Sequence, residues 1–355
     1  MAPLYEAVPP GRYGGTERVI ATLCDGLVAA GHDVTLFAAA TSCTDAKLEA
    51  FVPEPLREVM DADGLAEIAP QLHLQMLADV VRGDDSFDVV HSHLDLWTLP
   101  FSKVSSVPMV MTMHGRLDLE AVRQILPRYP AMPLVSISDN QRLPLADLSL
   151  NWAATVYNGL DLRSYADARH DQHGYLAFVG RISEEKGPLL AIEIAERTGL
   201  PLKMAAKVDP SDQEYHDEEV APRMGDGVDF IGEIDEEQKP DFYAGARATL
   251  FPSDWPEPFG LVMIESLAAG TPVIALRRGS VPEVIEHGVT GFICDDVDEM
   301  TEAAGHVGDL DPEECRRHAQ NFSAEVMCGR YLDVYRALGD RDQPSVTNST
   351  RPGPT

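Results

Sequence analysis

The chain has 355 residues, 44 % of them apolar and 24 % charged, and its 58 acidic and 28 basic side chains leave a formal charge of −30. That length favours two domains of ordinary globular composition. Negative charge on this scale argues against nucleic acid and anionic membrane surfaces as partners.

No apolar run reaches the ~20 residues of a bilayer span, and the opening Met1-Ala2-Pro3-Leu4 lacks the basic and apolar pattern of a leader. Cys24, Cys43, Cys294, Cys315 and Cys328 form no C-x-x-C pair, which points to free thiols in a reducing, cytoplasmic setting.

Short apolar runs alternate with amphipathic stretches along the chain, the pattern of repeated βαβ units with mainly parallel sheets. Only Met1-Ala2-Pro3 precedes the first loop, so a full first strand, normally central in a doubly wound sheet, has no residues to come from. The expectation is a truncated first strand whose natural counterpart starts upstream. Thr16 is expected to cap a helix with the apolar stripe Val19, Ile20, Leu23, Leu27 and Val28, and Gly31 to stop it. Strands are predicted at 34–38, 87–91, 108–113, 133–138 and 154–157. The polar segment 161–174 reads as a linker. Further strands are predicted at 176–179, 202–207, 228–231, 248–251, 273–276 and 292–294, with a helix from about Gly260 to Gly270-Thr271-Pro272. A last helix over 323–338 precedes a tail, 339–355, expected to be disordered.

Four clusters fall where strands run into loops, the ligand edge of open α/β sheets. Gly14-Gly15, ahead of a helix, allows close backbone approach to an anion, although a plain helix-entry turn explains it equally well. Arg181 and Lys186, in Gly180-Arg181 to Lys186-Gly187, place two cations at a strand mouth, with a solvated loop as the alternative. Glu257-Pro258-Phe259-Gly260 with Glu265 sets two carboxylates at most about 12 Å apart along a helix axis, too far to share a proton but able to hold two ends of one long ligand. His91, His93 and His114 suggest hydrogen-bonding roles rather than zinc, because no third ligand is forced by spacing. Dinucleotide, Walker and nucleophile-elbow motifs are missing. Asp61-Ala62-Asp63 and Asp296-Val297-Asp298 are chance matches to an Asp-x-Asp pattern in so acidic a chain.

Taken together, Gly14-Gly15-Thr16-Glu17-Arg18-Val19, His114-Gly115, Asn158-Gly159-Leu160-Asp161, Gly180-Arg181 with Lys186-Gly187, and the Glu257 to Glu265 block resemble the retaining family 4 glycosyltransferases (glycosyl transferases group 1) of the GT-B fold. The resemblance implies an α/β fold of two Rossmann-like domains with mainly parallel sheets facing a cleft. An acceptor domain would span 1–160, the linker 161–174 and a nucleotide-sugar domain 175–322, with helix 323–338 crossing back. It implies that Arg181 and Lys186 hold the donor diphosphate and that Glu265 takes the ribose. Glu257, with the backbone of Phe259 and Gly260, would hold the transferred sugar. Gly14 and Gly15 would approach the donor, and His114 would contact the sugar near the reacting carbon. Glu257, His114, Arg181 and Lys186 are the candidate catalytic set.

The implied reaction moves a hexosyl group from a nucleotide diphosphate sugar, UDP-sugars first, to a hydroxyl acceptor with retention. The acceptor would be a sugar, a lipid-linked sugar or a small molecule. No metal and no cofactor are expected, because fixed cations and helix N-termini can offset the leaving charge. Acceptor residues are not identified by sequence, although Arg116, Asp118, Arg123 and Tyr129 are wall candidates by position. Two other readings stay open: a nucleotide-sugar epimerase of the same fold, and a non-catalytic nucleotide-sugar-binding protein.

Overall fold

The computed structural model describes residues 1–11, 14–59, 65–83, 87–168, 170–171 and 174–339. Asp61-Ala62-Asp63 and the tail from 340 onward lie outside the described residues. The first sheet region contains β1 (Thr35–Ala39), β2 (Lys47–Val52), β3 (Val90–Ser92), β4 (Met109–Met113), β5 (Leu134–Ser136) and β6 (Trp152–Thr155). The second contains β7 (Tyr175–Arg181), β8 (Leu202–Lys207), β9 (Val228–Phe230), β10 (Ala246–Phe251), β11 (Val273–Leu276) and β12 (Gly291–Cys294). All their pairings are parallel, giving an α/β protein of two domains. Buried on both faces, these strands read as near-continuous apolar runs, such as the fully buried Val273–Leu276.

The second sheet has the order β12-β11-β10-β7-β8-β9. From β7 the chain winds outward to β8 and β9, then returns to the other side of β7 and winds outward again through β10, β11 and β12. The reversal between β7 and β10 opens a crevice at their carboxyl ends, where α/β sheets place ligands. The first region is divided into a β1-β2 pair and a β3-β4-β5-β6 sheet. Met1 and Ala2 lie between the two. The Met1 amino group donates to His91 O at 2.8 Å, His93 N donates to Met1 O at 3.1 Å, and Ala2 N donates to Phe37 O at 3.0 Å.

The sequence expectation needs correction at two places. The first helix is Gly15–Ala29, capped by Gly14 with no side-chain bond, so Thr16 lies inside the helix and is not its cap. Strand β2 was not anticipated, because its sequence KLEAFV is largely exposed and carries no continuous apolar run. Within the segment read as a linker, Leu162, Tyr165 and Ala168 are buried in the same core as Phe259, Met263 and Ile264.

The last helix, Ala324–Gly339, packs on the first. Val19, Leu23 and Leu27 meet Met327, Cys328, Tyr331 and Val334 in one buried cluster. Burial of each such side chain contributes roughly 1.5–3 kcal/mol, which ties the chain's end to its beginning. Gly26 permits the close approach, because a Cβ there would stand 2.3 Å from Cys328 Sγ. Among the described residues no helix is long and apolar enough to cross a membrane.

Gly26→Val is therefore expected to destabilise the protein by about 1–3 kcal/mol through overpacking, and Cys328→Ala in the same chain to recover part of that loss. Urea unfolding midpoints of the two variants check this.

Candidate active site

A cavity of about 530 Å³ lies between the two halves. Gly14, Gly15, His114, Arg181, Lys186, Glu257, Phe259, Gly260 and Glu265, the nine residues singled out in the sequence, all line it. Topology explains the meeting. Arg181 ends β7, and Lys186 follows in the next turn. Glu257 to Gly260 sit in the loop after β10, on the other side of the switch point. Across the cleft, the first helix starts at Gly15, and His114 follows β4.

The cations are held by acids. Arg181 Nη2 donates to Glu185 Oε1 at 2.7 Å, and Nη1 lies 3.4 Å from Asp209 Oδ2 and 3.7 Å from Asp212 Oδ2. Lys186 forms an ion pair with Glu257, whose Oε2 also accepts from Trp255 Nε1 at 2.9 Å. Six cations line the cavity (Arg18, Arg57, Arg181, Lys186, Lys207, Lys239) against six acids (Glu6, Glu17, Asp209, Glu233, Glu257, Glu265). The whole chain has 58 acids to 28 bases, so this cleft is relatively enriched in positive charge. That local balance matters more than the distant excess, because salt screens beyond ~8 Å at physiological ionic strength.

Glu265 is the most constrained group. Its Oε1 accepts from Arg18, by a charged bond from across the cleft, and from Lys239 Nζ at 3.2 Å. Its Oε2 accepts from Tyr243 OH at 2.6 Å. Burial pushes the carboxyl up, yet the Lys239 and Arg18 charges and the Tyr243 bond outweigh burial and hold it down at about 2. Arg18 also pairs with Glu236, so it ties the first helix to the opposite half. A second tie runs the other way: Asp139 N and Asn140 N each donate to Glu283 at 2.7 Å.

His114 is partly buried, and loss of solvation lowers its pKa to about 4, so the ring is neutral at pH 7. One of its nitrogens, Nε2, lies 2.8 Å from His93 Nδ1. His93 and His91 do not line this cavity. His91 bonds Thr112 Oγ1 and the Tyr335 hydroxyl, each at 2.8 Å. Arg116, Asp118, Arg123 and Tyr129 do not line it either. Arg116 pairs with Asp118 and sits 5.7 Å over the Trp255 ring, while Arg123 is taken by Asp147. Asp296 caps the helix Val297–His306 by accepting from Glu299 N at 2.9 Å, which accounts for that Asp-x-Asp match.

Sequence reading missed several contributors. Lys239 and Tyr243 carry no motif spacing of their own, Arg18 stood in the Gly14 to Val19 motif without a role, and all three meet Glu265 only in the fold. Gly279 and Ser280 support the Glu257 loop: Ser280 N donates to Glu257 O at 3.1 Å, and Ser280 Oγ donates to Phe259 O at 2.5 Å. Gly279 has φ +51°, and a Cβ there would lie 2.3 Å from Glu257 O, so only glycine fits. Asn158 is 5 % exposed and lines the cavity, and its Oδ1 has no hydrogen-bond partner among the described residues. The sequence signal for it was Asn158-Gly159-Leu160-Asp161, to which no role had been attached.

Comparison with known proteins agrees with this geometry. The Glycosyltransferase Family 4 model matches residues 13–163, and the Glycosyl transferases group 1 model matches residues 167–323. A glycogen synthase of Mycobacterium tuberculosis is 28 % identical, over 88 % of this chain and 86 % of its own length. AviGT4, a glycosyltransferase involved in avilamycin A biosynthesis, superposes with a TM-score of 0.68 at 26 % identity, covering 94 % of this chain and 93 % of that one. Anabaena HepE in complex with UDP and glucose has the same fold, with a TM-score of 0.69 at 16 % identity over 92 % of this chain and 97 % of that one.

The linkage for Glu265 gives a signed prediction. Its folded value of about 2 lies below the ordinary 4.5, so the stability it contributes is present above about pH 4.5 and is lost as pH falls toward 2. Glu265→Gln should flatten stability against pH over that window and cost about 3 kcal/mol at pH 7, the low end for a broken buried pair because Glu236 still holds Arg18 and Lys239. Urea unfolding measured from pH 7 down to pH 3 checks both. The matched models and the shared fold identify the chain as a family 4 glycosyltransferase of GT-B fold, an enzyme that draws on a nucleotide-sugar donor.

Proposed function

We propose that this protein transfers a hexosyl group from a UDP-sugar to a hydroxyl acceptor with retention, holding the donor diphosphate on Arg181 and Lys186. The observation that carries this reading is the convergence of those two cations, Glu257 and Glu265 on one cavity at the switch point. The UDP and glucose bound by the similarly folded Anabaena HepE favour UDP over other nucleotides.

As the sugar–phosphate bond breaks, negative charge grows on the leaving phosphate oxygens. Two fixed cations near the start of the helix Leu261–Ala268 offset that charge in a partly dry site, with no divalent ion required. The acceptor oxygen bonds to the anomeric carbon on the face the diphosphate leaves, and its proton passes to a leaving phosphate oxygen. Glu257 and the backbone at Phe259 and Gly260 hold hydroxyls of the transferred sugar. His114 acts as a neutral hydrogen-bonding partner beside the reacting carbon, a role its lowered pKa favours. Glu265 takes the ribose hydroxyls, which requires Arg18 to yield one of the two carboxylate oxygens. Phosphate likewise displaces Asp209 and Glu185 from Arg181, and each exchange replaces one charged partner with another. The five free cysteines support a cytoplasmic setting.

Release of the nucleoside diphosphate from a panel of UDP- and GDP-sugars, with and without simple hydroxyl acceptors, tests the reading. Arg181→Ala is expected to lower kcat by about 10²–10³-fold, with Lys186→Ala similar and circular dichroism unchanged. Chelator is expected to leave the rate intact. Wild-type rates in both variants would overturn the assignment of the diphosphate site.

A further inference from the structure

The proposed donor pose puts the ribose on Glu265, yet that carboxylate is nearly full. A carboxylate offers about four acceptor positions. Arg18 and Lys239 bond Oε1, the Tyr243 hydroxyl bonds Oε2, and the residue is 1 % exposed. Lys239 and Tyr243 belong to the same half as Glu265, on the short helix Lys239–Ala244. Arg18 does not: it stands near the start of the first helix, in the opposite half. Two ribose hydroxyls need two positions, so Arg18 must leave before a ribose is seated.

The halves are tied at two points that differ in kind. At one, Glu283 accepts from Asp139 N and Asn140 N, each at 2.7 Å, and from the Tyr157 hydroxyl. None of these four residues lines the cavity. Both passages of the chain between the halves meet nearby: Leu160 N donates to Phe322 O at 3.1 Å, and Ala324 N donates to Leu160 O at 2.9 Å. A tie beside the crossings can hold while the cleft opens and shuts, as a hinge does. The other tie is Arg18, whose side chain reaches Glu236 and Glu265 and is 12 % exposed. It lies in the cavity itself. Both of its carboxylates also bond Lys239, Glu236 at 2.6 Å and Glu265 at 3.2 Å, so each keeps a cation when Arg18 departs. Release therefore leaves neither acid unpaired, which makes this a contact that can break and re-form.

We propose that Arg18 is a plug on the ribose site: in the ligand-free chain it occupies Glu265 and latches the first helix to the opposite half, and a nucleoside diphosphate binds by displacing it. The inference rests on the proposed placement of the ribose on Glu265. Its effect has a distinctive sign. Arg18 is one of six cations lining a cleft for an anion, and removing a cation from such a cleft ordinarily weakens anion binding. A plug does the reverse. Apparent affinity is reduced by the fraction of molecules in which the site is free, so removing the occupant tightens binding. The gain is confined to ligands that carry a ribose. A bare diphosphate reaches Arg181 and Lys186 without touching Glu265 and gains nothing.

Calorimetric titration of the full chain with UDP and with inorganic pyrophosphate tests this in the wild type, Arg18→Met and Glu236→Gln. Arg18→Met is expected to lower the Kd for UDP about fivefold or more. Glu236→Gln removes one anchor of Arg18 and leaves every residue of the cavity lining in place, and it is expected to lower that Kd about twofold. Pyrophosphate is expected to bind Arg18→Met no more tightly than wild type. Weaker UDP binding by Arg18→Met would make Arg18 a ligand of the donor and overturn the plug. Unchanged UDP binding, or an equal gain for pyrophosphate, would overturn it as well. If Arg18→Met does not fold, Glu236→Gln decides: tighter UDP binding supports the plug, and unchanged or weaker binding contradicts it. A wild type that binds UDP beside variants that gain nothing sinks the plug alone, whereas a wild type that binds no UDP sinks the donor reading and the plug with it.

Discussion

Strands β7 and β10 lie side by side and parallel, and the chain leaves their carboxyl ends in opposite directions. Everything the cleft can do depends on that divergence. It leaves room between two loops that are far apart in sequence, and it brings Arg181 and Lys186 within reach of Glu257 and Glu265. No local interaction would assemble these groups. The parallel pairing and the right-handedness of βα crossovers do so: winding outward on either side of the switch point places the crossovers on opposite faces of the sheet, with helix Pro188–Thr198 and helix Leu261–Ala268 in different cores.

Charge in the cleft is arranged in pairs that exchange partners. Lys186 holds Glu257, Arg181 is shared among Glu185, Asp209 and Asp212, and Glu265 is held by Arg18, Lys239 and Tyr243. Satisfying each group this way avoids the cost of burying an unpaired ion. It also means that an anionic ligand with hydroxyl groups finds both kinds of partner in place, cations for its phosphates and carboxylates for its sugars. Arg18 is the link between this electrostatics and the relative placement of the two halves, since it reaches from the first helix to Glu236 and Glu265.

Sequence alone carried the alternation of strands and helices, and with the family resemblance it carried the nine residues that line the cleft, because these are local signals. Apolar runs mark buried parallel strands, and Gly-Arg to Lys-Gly and the Glu257 to Glu265 block are compact motifs. What escaped was set by tertiary context. Arg18, Lys239 and Tyr243 gain meaning only around a buried carboxylate. Gly279 and Ser280 matter because their backbone lies against Glu257 and Phe259. Strand β2 was hidden by its exposed, charged face. Thr16 fitted the rule for a cap, but the turn at Gly14-Gly15 starts the helix two residues earlier.

The central claim is that two fixed cations after β7 take the charge of a leaving diphosphate. A crystal structure with UDP bound addresses it most directly. The account predicts phosphate oxygens within hydrogen-bond distance of the Arg181 guanidinium and the Lys186 ammonium, with the ribose against Glu265. Phosphates seated elsewhere in the cleft, with Arg181 still on Asp209 and Lys186 still on Glu257, would contradict it.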